Sequence, residues 1–125
     1  MAEKTRYSDN ELQEFKELIE KKLEVAREEL EEYQNQITKK DSGDSNSDYK
    51  FRGLEDSNFL VEKEYLNQMA ARQATFINHL EKALVRIQNK TYGICRETGK
   101  LISKERLRVV PHATLSIEAK NAQRK

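Results

Sequence analysis

Cys95, Thr98, Ser116 and Ala119 stand at the four positions of a C-x2-C-x17-C-x2-C frame, the ligand spacing of a zinc ribbon. A structural zinc site closes around four N, S or O donors. Here the frame offers one thiol, two hydroxyls and a methyl. In a finger with a complete donor set, the metal contributes on the order of 10–16 kcal/mol, and that energy is folding energy. With a single thiol, apolar residues are expected to hold the module instead. Ile94, Leu101, Ile102, Leu107, Val109, Val110, Leu115 and Ile117 are available, each worth about 1.5–3 kcal/mol when buried. The expectation is therefore no cofactor, with zinc disfavoured. The rival is a residual site of Cys95 and His112 completed by Glu97 or Glu118. Cys95 itself reads as a small buried apolar side chain. A redox-sensing thiol would need exposure and a lowered pKa, which Arg96 and Lys100 would favour.

Two long helices must carry this module. The first is expected from about residue 8 to 39. Ser8 and Glu11 fit a capping box, in which each side chain accepts from the other's backbone N–H. Leu12, Phe15, Ile19, Leu23, Ala26, Leu30, Tyr33 and Ile37 then recur, from Ile19 in the alternating steps of four and three that make a coiled-coil seam. The second is expected from about 57 to 90, with the seam Leu66, Ala70, Gln73, Ile77, Leu80, Leu84 and Ile87. Gln73 is the polar intrusion, of the kind that sets register. Two seams of similar length joined by one loop predict an antiparallel helical hairpin; a trimeric or tetrameric coiled coil is the rival. The connection, residues 40–56, is expected to be mobile, because Asp41 to Asp48 contains nothing apolar to pack. Tyr49, Phe51 and Leu54 are expected to fold back on the helix ends.

After Lys90 the period is lost. Short turns and two small strands are expected from Tyr92 to Val110. Ser103 is positioned to cap a helical turn through Leu107, and Pro111 suits the first turn of a last helix over about 112–121. The fold class is thus mainly α: an arm over residues 1–90, and a small zinc-finger-like module with a terminal helix over residues 91–125.

The wording of the C-terminal half resembles the DksA/TraR family of bacterial transcription factors. Tyr92-Gly93-Ile94-Cys95, Gly99-Lys100-Leu101-Ile102, Glu105-Arg106-Leu107 and Pro111-His112-Ala113-Thr114-Leu115 carry the likeness, which covers roughly Asn67 to Lys120. The resemblance implies a helical hairpin with a compact C-terminal finger. It also implies that RNA polymerase is the partner, engaged through its secondary channel without promoter recognition, in some members together with ppGpp. Family members carry an acidic tip pattern close to D-x-x-D-x-A. This chain departs from it. Glu55 and Asp56 lie where the tip should fall but are adjacent, and Asp41-x-x-Asp44 is followed by Asn46 rather than alanine.

Charge divides the chain. Residues 1–64 hold 11 Lys/Arg against 18 Asp/Glu, whereas residues 86–125 hold 10 against 3. An acidic arm and a basic finger suggest two contact surfaces. The polymerase-contact candidates are Glu55 and Asp56 at the tip and Arg96, Lys100, Lys104, Arg106 and Arg108 on the finger. No base-reading helix accompanies the basic cluster, so direct nucleic-acid binding is not expected. His79 and His112 lie in different elements, and no phosphate loop or Ser-His-Asp grouping is legible, which argues against an enzyme. There is no apolar run long enough to span a membrane and no apolar leader, so a cytoplasmic monomer is expected. A coiled-coil adaptor with no polymerase role is the alternative.

Overall fold

A computed structural model describes residues 5–41 and 52–123. The chain is mainly helical: a long helical hairpin and a small C-terminal region. Its elements run α1 (Asp9–Asp41), α2 (Arg52–Gln88), α3 (Lys104–Val109) and α4 (Ile117–Gln123). The described residues form two compact units, Met1–Leu23 with Asn78–Lys125, and Glu24–Ile77.

The start of α1 is the capping box expected of Ser8 and Glu11. The Glu11 N–H donates to Ser8 Oγ at 3.2 Å, and the Ser8 N–H donates to Glu11 Oε1 at 3.0 Å. Helix α2 begins at Arg52, upstream of the start expected from the apolar seam, since helix needs no apolar stripe to propagate once nucleated. It ends where Lys90 takes φ +62°, a left-handed residue that terminates the hydrogen-bond ladder. The expected mobility of residues 42–48 and the expected fold-back of Tyr49, Phe51 and Leu54 lie outside the described residues and side chains.

In the first unit the early seam is closed: Leu12, Phe15, Ile19 and Leu23 are buried, as are Leu80, Ala83 and Ile87 of α2. Tyr7, Phe15 and Tyr92 add an aromatic cluster, with centroids 5.7 Å apart for Tyr7–Phe15 and 5.3 Å for Phe15–Tyr92. Such tilted pairs add to simple area burial. Both phenols are tethered: Tyr7 donates to the Ile102 carbonyl, and Tyr92 donates to the Pro111 carbonyl at 2.8 Å. Gly93 lies beneath the Tyr7 ring at φ +78°, where a Cβ would come within 2.5 Å of that ring. Only glycine suits both the backbone and the approach.

The second unit is a two-helix seam. Ala26, Leu66 and Ile77 are buried, while Leu30, Tyr33, Ile37 and Ala70 are half-buried. Gln73 acts as the register residue its seam position suggested. Its Nε2 donates to the Ala26 carbonyl at 3.2 Å and to Glu29 Oε2 at 2.9 Å. Lys40 meets Glu62 at 2.6 Å and lies 5.4 Å from the Phe59 ring centroid.

The C-terminal region differs from expectation in three places. The two small strands reduce to one antiparallel bridge, Ile94 with Leu101. The last helix starts at Ile117 rather than near His112, because Ser116 caps it: Ser116 Oγ accepts from the Ala119 N–H at 3.1 Å. Pro111 and His112 lie in the preceding turn. Of the eight apolar residues expected to fill the module, Ile102 and Leu107 are fully buried, but Val109 and Ile117 are 79% and 54% exposed. Tyr92, Pro111, Ala113 and Ala119 take up the interior instead.

Candidate functional site

The frame positions come together at the C-terminal turn. Cys95 opens it, with its N–H donating to the Lys100 carbonyl at 2.8 Å and its own carbonyl accepting from the Gly99 N–H at 2.8 Å. Gly99 takes φ +72° with open space around it, so here the backbone alone calls for glycine. The Arg96 N–H donates to the Thr114 carbonyl at 3.0 Å, which brings the second half of the frame alongside the first. The Ser116 N–H donates to Cys95 Sγ at 3.4 Å. Cys95 is fully buried. Burial pushes its thiol up, but hydrogen bonds from the Thr98 hydroxyl and from the backbone of Ser116, Thr98 and Glu97 outweigh that and bring it down to about 6. Donors aimed at sulfur favour the thiolate. Thr98, Ser116 and Cys95 are thus hydrogen-bonded to one another or to the adjoining backbone, and Ala119 contributes the capped N–H of α4.

Basic residues surround this turn. Arg96, Lys100 and Arg108 are exposed. Lys104 and Arg106 are more engaged: Lys104 meets Glu11 at 2.5 Å, and Arg106 Nε donates to the Leu115 carbonyl at 2.9 Å. The hydrogen bond with Glu11 raises the Lys104 ammonium above its ordinary value. The five basic candidates therefore divide into three solvent-facing groups and two that also serve the fold. Side chains of the other two candidates, Glu55 and Asp56, lie outside the described residues.

A cleft of about 460 Å³ opens beside the turn, lined among others by His79, Lys82, Arg86, Arg96, Arg106, His112 and Lys120. Sequence reasoning placed Arg96 and Arg106 on a basic face but missed Lys82, Arg86 and Lys120. The signal was available on α2, where His79, Lys82 and Arg86 recur at three and four residues and must share a face. His112, expected as an exposed helix-start residue, is half-buried and stacks on His79. Arg86 Nη2 donates to the His112 carbonyl at 3.3 Å, and burial lowers the guanidinium from its ordinary value.

Comparison with known proteins bears on this region first. Residues 90–125 match the family model described as "Prokaryotic dksA/traR C4-type zinc finger". The chain is 44% identical over 48 residues to the "RNA polymerase-binding transcription factor DksA" of Caulobacter vibrioides, a stretch covering 38% of this chain and 34% of that protein. It is 40% identical over 43 residues to "General stress protein 16O" of Bacillus subtilis, covering 34% of this chain and 26% of that one. These matches span about a third or less of the relatives' length. Over the fold, it is similar to the solved structure of transcription factor DksA2 from Pseudomonas aeruginosa, with a TM-score of 0.78 and 23% identity, covering 90% of this chain and 82% of the other.

The C4-type zinc finger match overturns the expectation that zinc is disfavoured: the module is of a zinc-binding class. The donors of this chain do not reproduce a four-cysteine set. Cys95, a thiolate-prone sulfur, is the thiol at the frame, and the described residues contain no group of three or more His, Cys, Asp or Glu placed to hold a metal. One sulfur does not by itself close a tetrahedral site.

Proposed function

The chain belongs to the DksA/TraR family, and from that premise we propose that it binds RNA polymerase and regulates transcription without reading promoter sequence. The hairpin enters the secondary channel, and the finger face stays outside to contact an acidic surface of the enzyme. The observation that carries the reading is the conjunction of the family finger at residues 90–125 with a hairpin of the same fold as DksA2. The charge division supports it. The arm carries the acidic excess and the finger the basic one, so the two ends suit different environments.

Arg96, Lys100 and Arg108 are the contact residues of choice, because they face solvent and their replacement leaves the interior intact. Lys104 and Arg106 contribute charge at the same face while also holding Glu11 and the Leu115 carbonyl. Glu55 and Asp56 are assigned to the tip, where fixed carboxylates would meet the metal and basic groups of the catalytic centre. The protein acts as a monomeric cytoplasmic regulator and not as an enzyme. Among the described residues, no helix is long and apolar enough to cross a membrane. Joint action with ppGpp rests on the family resemblance alone.

The test is retention of purified core polymerase on the immobilised full-length protein. Retention at low salt that falls as salt rises is the expected result, because exposed charge contacts are screened. The triple variant Arg96→Glu, Lys100→Glu, Arg108→Glu should lose most of it while melting as the parent does. Failure of the parent protein to retain polymerase at low salt overturns the reading.

A further inference from the structure

The cleft beside the finger holds a pair of imidazoles that the polymerase reading does not use. His79 on α2 and His112 in the turn before α4 lie nearly parallel, with ring centroids 5.3 Å apart and 8° between planes. The charged groups lining the same cleft are Lys82 and Arg86 of α2, Arg96 of the Cys95 turn, Arg106 of α3 and Lys120 of α4; no carboxylate lines it among the described residues. Through this cleft the segment before α4 is held in place. Arg86 takes the His112 carbonyl and Arg106 takes the Leu115 carbonyl, while Tyr92 takes that of Pro111.

Two neutral imidazoles can stack. A proton on either ring places a new cation beside the other ring and among five Lys and Arg side chains of the same sign, with no lining carboxylate to offset it. We infer that the His79–His112 stack is an acid-sensitive latch: uncharged, it holds residues 111–115 against α2, and uptake of a proton releases them. The element with two states is this short segment, since the buried aromatic cluster and Leu107 do not depend on the stack. Burial first, then the neighbouring His79 and Arg86, keeps the His112 ring below the ordinary histidine value. The folded chain therefore keeps the ring neutral at pH values where an unfolded chain would protonate it. The stabilisation is whole above the ordinary value of about 6.5. It is lost as pH falls from there through the lowered folded-state value. Because Arg96 and Arg106 line the same cleft, release would also rearrange part of the basic face. The latch operates whether or not polymerase binds.

The experiment uses the full-length protein. The imidazole C–H resonances of both histidines are followed by NMR from about pH 8 to about pH 4.5, a span that brackets the ordinary histidine value. Amide-exchange protection of residues 112–115 is measured over the same range after correction for intrinsic exchange. His112 should titrate below the ordinary histidine value. Protection of 112–115 should fall over the same interval, by about tenfold for each unit by which the ring is lowered, while that of Leu107 persists. In His79→Phe and His112→Phe, where an aromatic ring that cannot titrate replaces one partner, the fall should flatten; two variants guard against one that fails to fold. The latch is overturned if His112 titrates at or above the ordinary value, if protection of 112–115 does not change with pH, or if the Phe variants lose it in parallel with the parent.

Discussion

The unit that carries the finger and the unit Glu24–Ile77 are built from the same two helices, yet their interiors differ. The large side chains that are completely buried, Tyr92, Ile19, Leu80, Ile102, Leu107 and Cys95, all belong to the finger-bearing unit. Glu24–Ile77 buries Ala26, Leu66 and Ile77 and leaves Val25, Phe59, Leu60, Val61 and Tyr65 exposed. A pair of helices has a seam and nothing beyond it, so each hides only a stripe. The other unit gains further walls from the Cys95 turn, α3 and the residues preceding α1, and so encloses whole side chains. Stability in this chain follows the number of surfaces around a side chain, not the regularity of its helices.

The most forceful challenge to that contrast is a matched pair of truncations. Leu107→Ala should destabilise by about 2–5 kcal/mol, the range for a leucine lost from a closed interior. Leu66→Ala should fall at or below the lower end, because the seam is open enough to relax. Chemical denaturation followed by circular dichroism compares them, and equal losses would break the contrast. Gly93→Ala should come next, at about 1–3 kcal/mol for overpacking, because its methyl would strike the Tyr7 ring. Pairing it with Tyr7→Ala sharpens the point: in that background the added methyl should cost less.

Gln73→Leu probes the opposite unit. Both of its acceptors have other partners or solvent, so the change in stability should stay below about 1 kcal/mol. The expected effect is on register, read as a broadened distance distribution between spin labels at Gln34 and Gln68. The smallest effect concerns Asp9. Hydrogen bonds from Lys90 and Arg6 hold its carboxyl below the usual carboxylate range. Its contribution is thus present above that range and is lost as pH falls through the lowered value. Carboxyl NMR should show the midpoint moving up in Lys90→Met, and an unchanged midpoint would remove this pair from the account.

What could be read from residues alone followed the same division. Helical period exposed both seams. Local chemistry exposed the Ser8–Glu11 box and the Ser103 cap, whose Oγ accepts from the Arg106 N–H at 3.2 Å. Gln73 stood out because it interrupts a pattern. The finger was less legible because its contacts are distant in sequence and obey no period. Nothing around Tyr7 signals that its ring covers Gly93 or that its hydroxyl reaches Ile102. Val109 and Ile117 looked like interior residues by type, but α3 and α4 are too short for a stripe to declare itself. The His79–His112 stack joins residues that share no local pattern. The frame at Cys95 was legible as spacing; its class as a zinc finger came from kinship, since three of its four positions carry no thiol or imidazole.

The ring of Tyr7 over Gly93 has a bearing on how this protein should be dissected. The stretch that matches the family finger begins at residue 90, yet part of the wall that encloses it arrives from the opposite end of the polypeptide. A fragment cut at the family boundary would lack Tyr7 and Phe15 and leave Tyr92 uncovered. Deletion mapping that treats residues 90–125 as a portable cassette would then report misfolding as loss of a contact.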